Sequence, residues 1–454
     1  MSSNNSLAGL TYIVKTFGCQ MNLHDSERVS GVLGSRGCIE VATPEEADIV
    51  VFMTCCVREK ADTHLYGQVS ATVSMPAPPS GRRLVAIGGC IAQRDGANIR
   101  EHMKNVDVVF GTRAIASLPE LLLEALAGGK DVKADVSEDD PGFSTDLPSK
   151  RDDAWHAWVP IMTGCNNFCS YCIVPYVRGR ERDREFEDIV EEVKKLKADG
   201  VREVCLLGQN VNSYGRQRYG EPRFAELLRA VGETGIERIR FTSSHPKDLS
   251  DDTIAAMAET PAVMPQLHLA VQSGSTRVLK AMNRHYTRED YIALAGRIKA
   301  AVPDIALSTD IIVGFPGETE EDFEQTLSLV REVGYESAFT FIYSKRPGTP
   351  AAKIDDPTPR EVIQERFDRL AELVADLAHE ANQAELGKNV EALVEGVSKR
   401  DPNVLVGHSP KNKTVHFECP EGTDPQELIG KLVSVRVEEA KTWYLRGPMV
   451  GEAR

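Results

Sequence analysis

The sequence predicts an α/β chain in three parts joined by one linker. An N-terminal α/β domain on a parallel sheet spans residues 10–127, and a linker spans 128–150. A central incomplete (β/α)6 barrel covers 151–385, and a small C-terminal β-barrel covers 386–454. Three observations carry this division. The chain has 454 residues, which at roughly 100–200 residues per domain suits about three domains. Apolar β-rich runs alternate with helical stretches in two separate series, the pattern of parallel sheets with right-handed crossovers. After Gly387 the texture changes to short strands.

In the first series Leu10–Thr16 reads as a strand, followed by a polar helical stretch from near His24. Ala47–Met53, Arg82–Gly88 and Val106–Gly111 supply three more strands, with a helix starting near Arg58. From Gly128 to Asp153 periodicity dissolves among Pro, Ser and Asp residues, the texture of a linker. The second series has six strands: HAWVPIM, EVCLLG, RIRFTS, LHLAVQS, IALSTDIIVG and SAFTFIY. Helices such as Phe186–Gly200 separate them, and six such units fall two short of a full eight-unit barrel. A long amphipathic helix, Arg360–Glu385, closes the series. Five short strands then follow in the last part, as in a small β-barrel.

Composition bounds the function. With 41% hydrophobic and 27% charged residues the chain is ordinary globular protein and not a disordered one. A formal charge of −15 excludes a uniformly basic nucleic-acid coat but leaves room for a local basic patch. No apolar run approaches the ~18 residues of a membrane span, and Met1–Leu10 lacks the layout of a signal peptide. A cytoplasmic protein with no membrane partner, acting as a monomer, is the expectation.

Ten cysteines in such a chain are unlike a disulfide framework, because the cytosol keeps thiols reduced. Cys165, Cys169 and Cys172 form CxxxCxxC directly after the first barrel strand. Three thiolates from one short loop can hold a 4Fe–4S cluster and leave one iron open to a small molecule. A structural zinc site is the alternative, but it needs a fourth Cys or His, and no HxxxH follows at zinc-finger spacing. Cys19, Cys55 and Cys90 each follow a predicted parallel strand, at the edge where open α/β sheets bind ligands. They form a second candidate metal site, with Cys56 an alternative ligand beside Cys55.

CxxxCxxC on an incomplete parallel barrel resembles the radical S-adenosylmethionine (SAM) superfamily. The segments TFGCQMNLHDS, TCCVREKA, GGCIAQ, GCNNFCSYCIVPYVRGRE, LLGQNVNSYG, VQSGSTRVLKAMNRHYTRE, STDIIVGFPGETEEDF and FIYSKRPGTPAA resemble its methylthiotransferase family. The resemblance runs from about Thr11 to Met449. It is strongest to the branch that methylthiolates isopentenyl-adenosine beside the tRNA anticodon. That resemblance implies two 4Fe–4S clusters, one on each cysteine trio, and two SAM molecules per turnover. One SAM would methylate sulfide on the auxiliary cluster, and the other, cleaved by a one-electron reductant, would supply the radical that activates adenine carbon-2. Within the family, threonylcarbamoyl-adenosine in tRNA and a ribosomal-protein aspartate are alternative substrates. A non-catalytic RNA-binding iron–sulfur protein is the alternative of a different class.

The same resemblance places Gln209 and Asn210 near the SAM amino acid, and Gln272, Ser273 and Asp310 near SAM or substrate. Arg178 and Arg180 are candidates for tRNA phosphates, within a loop whose Arg182 and Arg184 alternate with acids. The C-terminal part resembles the RNA-binding TRAM module, with Lys399, Lys411 and Lys413 as its candidate RNA contacts. From Ala384 onward, however, ten Lys/Arg face eleven Asp/Glu, so binding there must rest on one face. The chain departs from the family at Met53, where Asn is usual, at Ala270, and at Asp183 and Glu185.

Overall fold

The computed structural model describes residues 6–56, 59–103, 105–129, 132–133 and 147–454. Most of the expected linker at 128–150 lies outside them. The chain divides into two compact units: residues 1–153, 163–166 and 172–182 form the first, and 154–162, 167–171 and 183–454 the second.

The first unit is built on a six-stranded sheet. Its strands are β1 (Thr11–Thr16), β2 (Ile39–Glu40), β3 (Ile49–Thr54), β4 (Leu84–Gly89), β5 (Val108–Phe110) and β6 (Val132–Lys133), in the order β2-β1-β3-β4-β5-β6. Every pairing is parallel. Alternate side chains of β3 enter opposite apolar layers, as the pleat requires. Ile49, Val51 and Met53 pack with Val29 and Leu33, whereas Val50 and Phe52 pack with Val69 and Ile91. The four expected strands are all present. Helix α1 (Gln20–Ser35) starts four residues before the expected His24, and α2 spans Glu59–Val73 and α3 Cys90–Asp95.

In the second unit the six barrel strands form two parallel triplets. One has the order Arg238–Phe241, Glu203–Leu207, His156–Pro160, and the other Gln266–His268, Ala306–Val313, Ser337–Ile342. Only isolated bridges, such as Ile239 to Val263 and Ser244 to Leu269, join the triplets. Beyond His268 the expected strand LHLAVQS continues only as isolated parallel bridges at Leu269 and Gln272, the latter with a positive φ of 72°. The long helix spans Arg360–Gln383. The C-terminal part is a seven-stranded sheet instead of five strands, since the expected strand LVSVRVEEA breaks into Leu432–Arg436 and Glu439–Ala440 and a two-residue strand at Met449–Val450 is added. Among the described residues no helix is long and apolar enough to cross a membrane.

Candidate metal centres and their surroundings

The second cysteine trio leaves the sheet of the first unit at one level. Thr16 pairs with Met53 and Thr54 with Gly89, so β1, β3 and β4 end side by side. Cys19 caps the start of α1, Cys55 follows β3, and Cys90 opens α3. Two glycines make this geometry possible. Gly18 has φ 117°, and a Cβ there would lie 2.2 Å from Cys55 Cβ. Gly89 has φ 90°, and its Cβ would meet the Thr54 carbonyl at 2.6 Å. L-residues resist both the backbone conformation and the crowding. The Thr54 hydroxyl donates to the Gly88 carbonyl (2.6 Å) and accepts from the Ile91 amide (3.1 Å), fixing the turn that carries Cys90.

The thiols are differentiated. A hydrogen bond from Cys55 pulls Cys19 down to about 6, with the Arg178 charge assisting against burial. A hydrogen bond from Cys56 and the same guanidinium pull Cys90 down to about 7. Cys56 itself is pushed far up, by that bond to Cys90 and by burial, and it belongs to the apolar layer under α2 and α3. Three cysteines beside a guanidinium, two of them held toward thiolate, suit an anionic iron–sulfur group and not a hard cation. Among the described residues no three His, Cys, Asp or Glu side chains gather as they would around one ion. Ligands of a cubane sit on different irons and stand farther apart.

Arg178 departs from its expected place on a tRNA phosphate. It is 7% exposed, and its guanidinium donates to Asn22 Oδ1 (3.0 Å) and Asp25 Oδ2 (2.9 Å) within the first unit. The guanidinium holds Asp25 below the usual carboxylate range despite burial. Asn22 and Asp25 are three apart on α1 and so share a face. Arg180 is exposed.

The CxxxCxxC segment contributes Cys165 and Cys172 to the first unit and Cys169 to the second. The Cys165 amide donates to the Gly179 carbonyl (3.1 Å). Cys169 is buried, and Arg284 Nη1 lies 3.8 Å from its sulfur. Arg284 also donates to the Tyr171 and Tyr286 hydroxyls at 3.2 and 2.5 Å. Sequence reasoning missed Arg284, although it lies inside the quoted AMNRHY stretch.

At the C-terminal ends of the barrel strands several buried polar atoms lack a protein partner. They are Asn210 Oδ1, Asn212 Oδ1, Ser244 Oγ and His245 Nε2. Because His245 Nδ1 accepts from the Lys247 amide, its Nε2 carries the proton. Such orphaned groups fit a polar ligand like SAM. Asn210 is otherwise held by Asp248 (2.8 Å), and Gln209 is half-buried. Gln272 and Ser243 both hold strained positive φ angles, as does Phe168 in the cysteine loop. Ser273 is fully buried, its hydroxyl accepting from the Ser275 amide (3.2 Å), so a turn uses it. Asp310 pairs with His268 Nε2 at 3.2 Å.

Two candidate RNA lysines are also held within the protein. Lys411 bonds Asp304 (2.7 Å) and Glu385 (3.2 Å), and Lys413 bonds Glu336 (2.5 Å) and Asn382 (2.8 Å). They anchor the C-terminal sheet on the barrel, because acids of the barrel and its last helix face them. Lys399 is exposed. Asp183, a departure from the family, is buried and accepts from the Gly215 and Gln217 amides (both 3.1 Å).

Residues 159–330 match the Radical SAM superfamily, 383–450 match the TRAM domain, and 11–111 match the uncharacterized protein family UPF0004. The chain is 50% identical over 447 residues to tRNA-2-methylthio-N(6)-dimethylallyladenosine synthase of Acetivibrio thermocellus, covering 97% of this chain and 91% of that one. It is also 50% identical to the protein of the same name from Acidothermus cellulolyticus, covering 95% and 86%. Among solved structures, the radical S-adenosylmethionine methyltransferase TsrM from Kitasatospora setae superposes with a TM-score of 0.54. At 14% identity, over 76% of this chain and 77% of that one, this shows a likeness of fold alone.

Proposed function

This chain belongs to the methylthiotransferase family of radical SAM enzymes, and from that premise we propose that it converts isopentenyl-adenosine beside the tRNA anticodon to its 2-methylthio derivative. The observation that carries the substrate is the near-50% identity, over almost the whole chain, to synthases named for that nucleoside. Cys165, Cys169 and Cys172 hold one 4Fe–4S cluster, and Cys19, Cys55 and Cys90 hold the auxiliary one. When bound, the clusters and SAM supply the radical and the methylated sulfur.

The chain's own residues position and insulate these groups. Gly18 and Gly89 let the strand ends approach closely enough for the auxiliary trio to converge. Arg284 fixes Cys169 against the tyrosines. Asn210, Asn212, Ser244 and His245 offer SAM both acceptors and donors, joined by Gln209 and Gln272 at the same strand ends. Asp310 orients His268 toward substrate. Arg180 and Lys399, both exposed, reach tRNA phosphates. The protein works in the cytoplasm as a monomer, fed by a one-electron reductant.

The test is nucleoside mass spectrometry of tRNA from cells lacking the protein. Loss of the 2-methylthio nucleoside with accumulation of isopentenyl-adenosine is the expected result. An unchanged profile for that nucleoside, or loss of a different methylthiolated product, would sink the assignment.

A further inference from the structure

Both cysteine sets meet one short stretch of chain in the first unit. Arg178 adjoins Val177, which shares an apolar layer with Cys90, and its guanidinium bonds α1 one turn beyond Cys19, so that its charge lowers both thiols. Behind it, Asp25 accepts at 2.9 Å and Asn22 at 3.0 Å. The Arg178 carbonyl accepts from Arg113 Nη2 (3.1 Å), and the next carbonyl, of Gly179, accepts the Cys165 amide (3.1 Å). The side chain of one residue thus acts on two auxiliary cysteines, and the backbone of the next holds the first cysteine of the radical trio.

The orientation of the ion pair is informative. A buried guanidinium is costly unless paired and hydrogen-bonded, and Asp25 with Asn22 satisfies that need. The pair as a whole is neutral, yet its positive end points at the cysteines and its negative end lies behind. A surface loop of alternating Arg and acid needs no such arrangement. Thiolates bound to an iron–sulfur core carry net negative charge, and charge and hydrogen bonds near the sulfurs are among the factors that set a cluster's potential.

We propose that Arg178 is a positioning residue of the auxiliary site: its guanidinium, backed by Asp25, is the fixed positive charge facing the cluster, and its backbone ties that site to the Cys165 segment. This rests on the assignment of a cluster to Cys19, Cys55 and Cys90.

The test uses the full-length chain with Cys165, Cys169 and Cys172 all replaced by alanine, loaded anaerobically with iron and sulfide. Iron content comes first. About four irons per chain are expected from one remaining cluster, and none would sink the auxiliary-cluster assignment itself, before Arg178 is at issue. With the cluster present, its midpoint potential is measured by a redox titration followed by electron paramagnetic resonance. Arg178→Gln should lower the potential, since losing a positive charge disfavours the added electron. Asp25→Asn should raise it, and Arg178→Lys should stay near the parent. An unmoved potential in Arg178→Gln, or shifts of the same sign in Arg178→Gln and Asp25→Asn, would overturn the proposal. If Arg178→Gln fails to fold or to load, Asp25→Asn decides alone: an upward shift supports the proposal, and no shift rejects it.

Discussion

Arg240→Met is the sharpest test of how the C-terminal sheet is held on the barrel. The Arg240 guanidinium donates to Glu203 (2.9 Å) and to the carbonyls of Ser409 (2.7 Å) and Pro410 (3.1 Å). The side chains of Arg240 and Glu203 are each only 9% exposed. Methionine keeps the length of the stem and removes all three bonds. Stranding one partner of a buried ion pair costs about 3–5 kcal/mol. Arg238 remains 3.9 Å from Glu203 and softens that loss, which points to the lower end. The two carbonyls each add roughly 1 kcal/mol, not additively. A net cost of about 3–4 kcal/mol corresponds to roughly two to three powers of ten in a local opening equilibrium. Native-state amide exchange, followed by mass spectrometry, reads it directly. Strands Val404–His408 and Thr414–Glu418 should exchange about 100-fold faster or more, while β3 and β4 of the first unit keep the parent rate. Unchanged exchange in the C-terminal sheet would refute the reasoning. Equal acceleration in both units would refute its localisation.

Other outcomes follow from single contacts. Gly18→Ala should cost the auxiliary cluster its site, so iron per reconstituted chain should fall from about eight to about four; a variant retaining the parent iron content would show that Gly18 is not needed there. Replacing Lys411 and Lys413 by alanine should leave the salt dependence of tRNA binding unchanged, because both lysines are bound to acids, whereas two phosphate contacts would flatten the log–log slope by about 2. Lys399→Ala should flatten it by about 1 on the same scale. Burial raises Glu318 from 4.5 to about 7, although it accepts the Gly314 amide (2.7 Å). An acid raised on folding binds more protons in the native state, so stability should fall as pH rises from about 4.5 through 7. Glu318→Gln should remove about 2–3 kcal/mol of that dependence, and denaturation midpoints across this range would check it.

Much of the scaffold was legible because fully buried parallel strands write themselves as β-branched runs. Ile49–Thr54 and Leu84–Gly89 are buried at every position, and the cysteines that follow them mark the ligand-binding edge. Two-residue strands such as Ile39–Glu40 carry no periodicity and escaped notice. The start of α1 was masked because its first turns bury polar residues, Asn22 and Asp25 among them, that the apolar pattern cannot register. Their partner lies 153 positions away from Asp25. The same limit hid the fate of the arginine loop. Alternating charge looks identical whether an arginine is exposed, as at Arg180, or held by an interior carboxylate, as at Arg178. Lys411 follows suit, since its acid Asp304 stands 107 residues upstream.

The division of the barrel strands into two triplets has a mechanical consequence. Within each triplet the ladder is continuous, but between Arg238–Phe241 and Gln266–His268 only isolated bridges hold the backbone. A wall made this way is stiff in two panels and compliant along the seam between them. Ser243 and His245 flank Ser244, which bridges to Leu269 across this seam, and Ser243 holds a strained backbone conformation. Side chains close the wall where the ladder does not, because Ile239 and Val204 of one triplet share a single apolar core with Leu267 and Leu307 of the other.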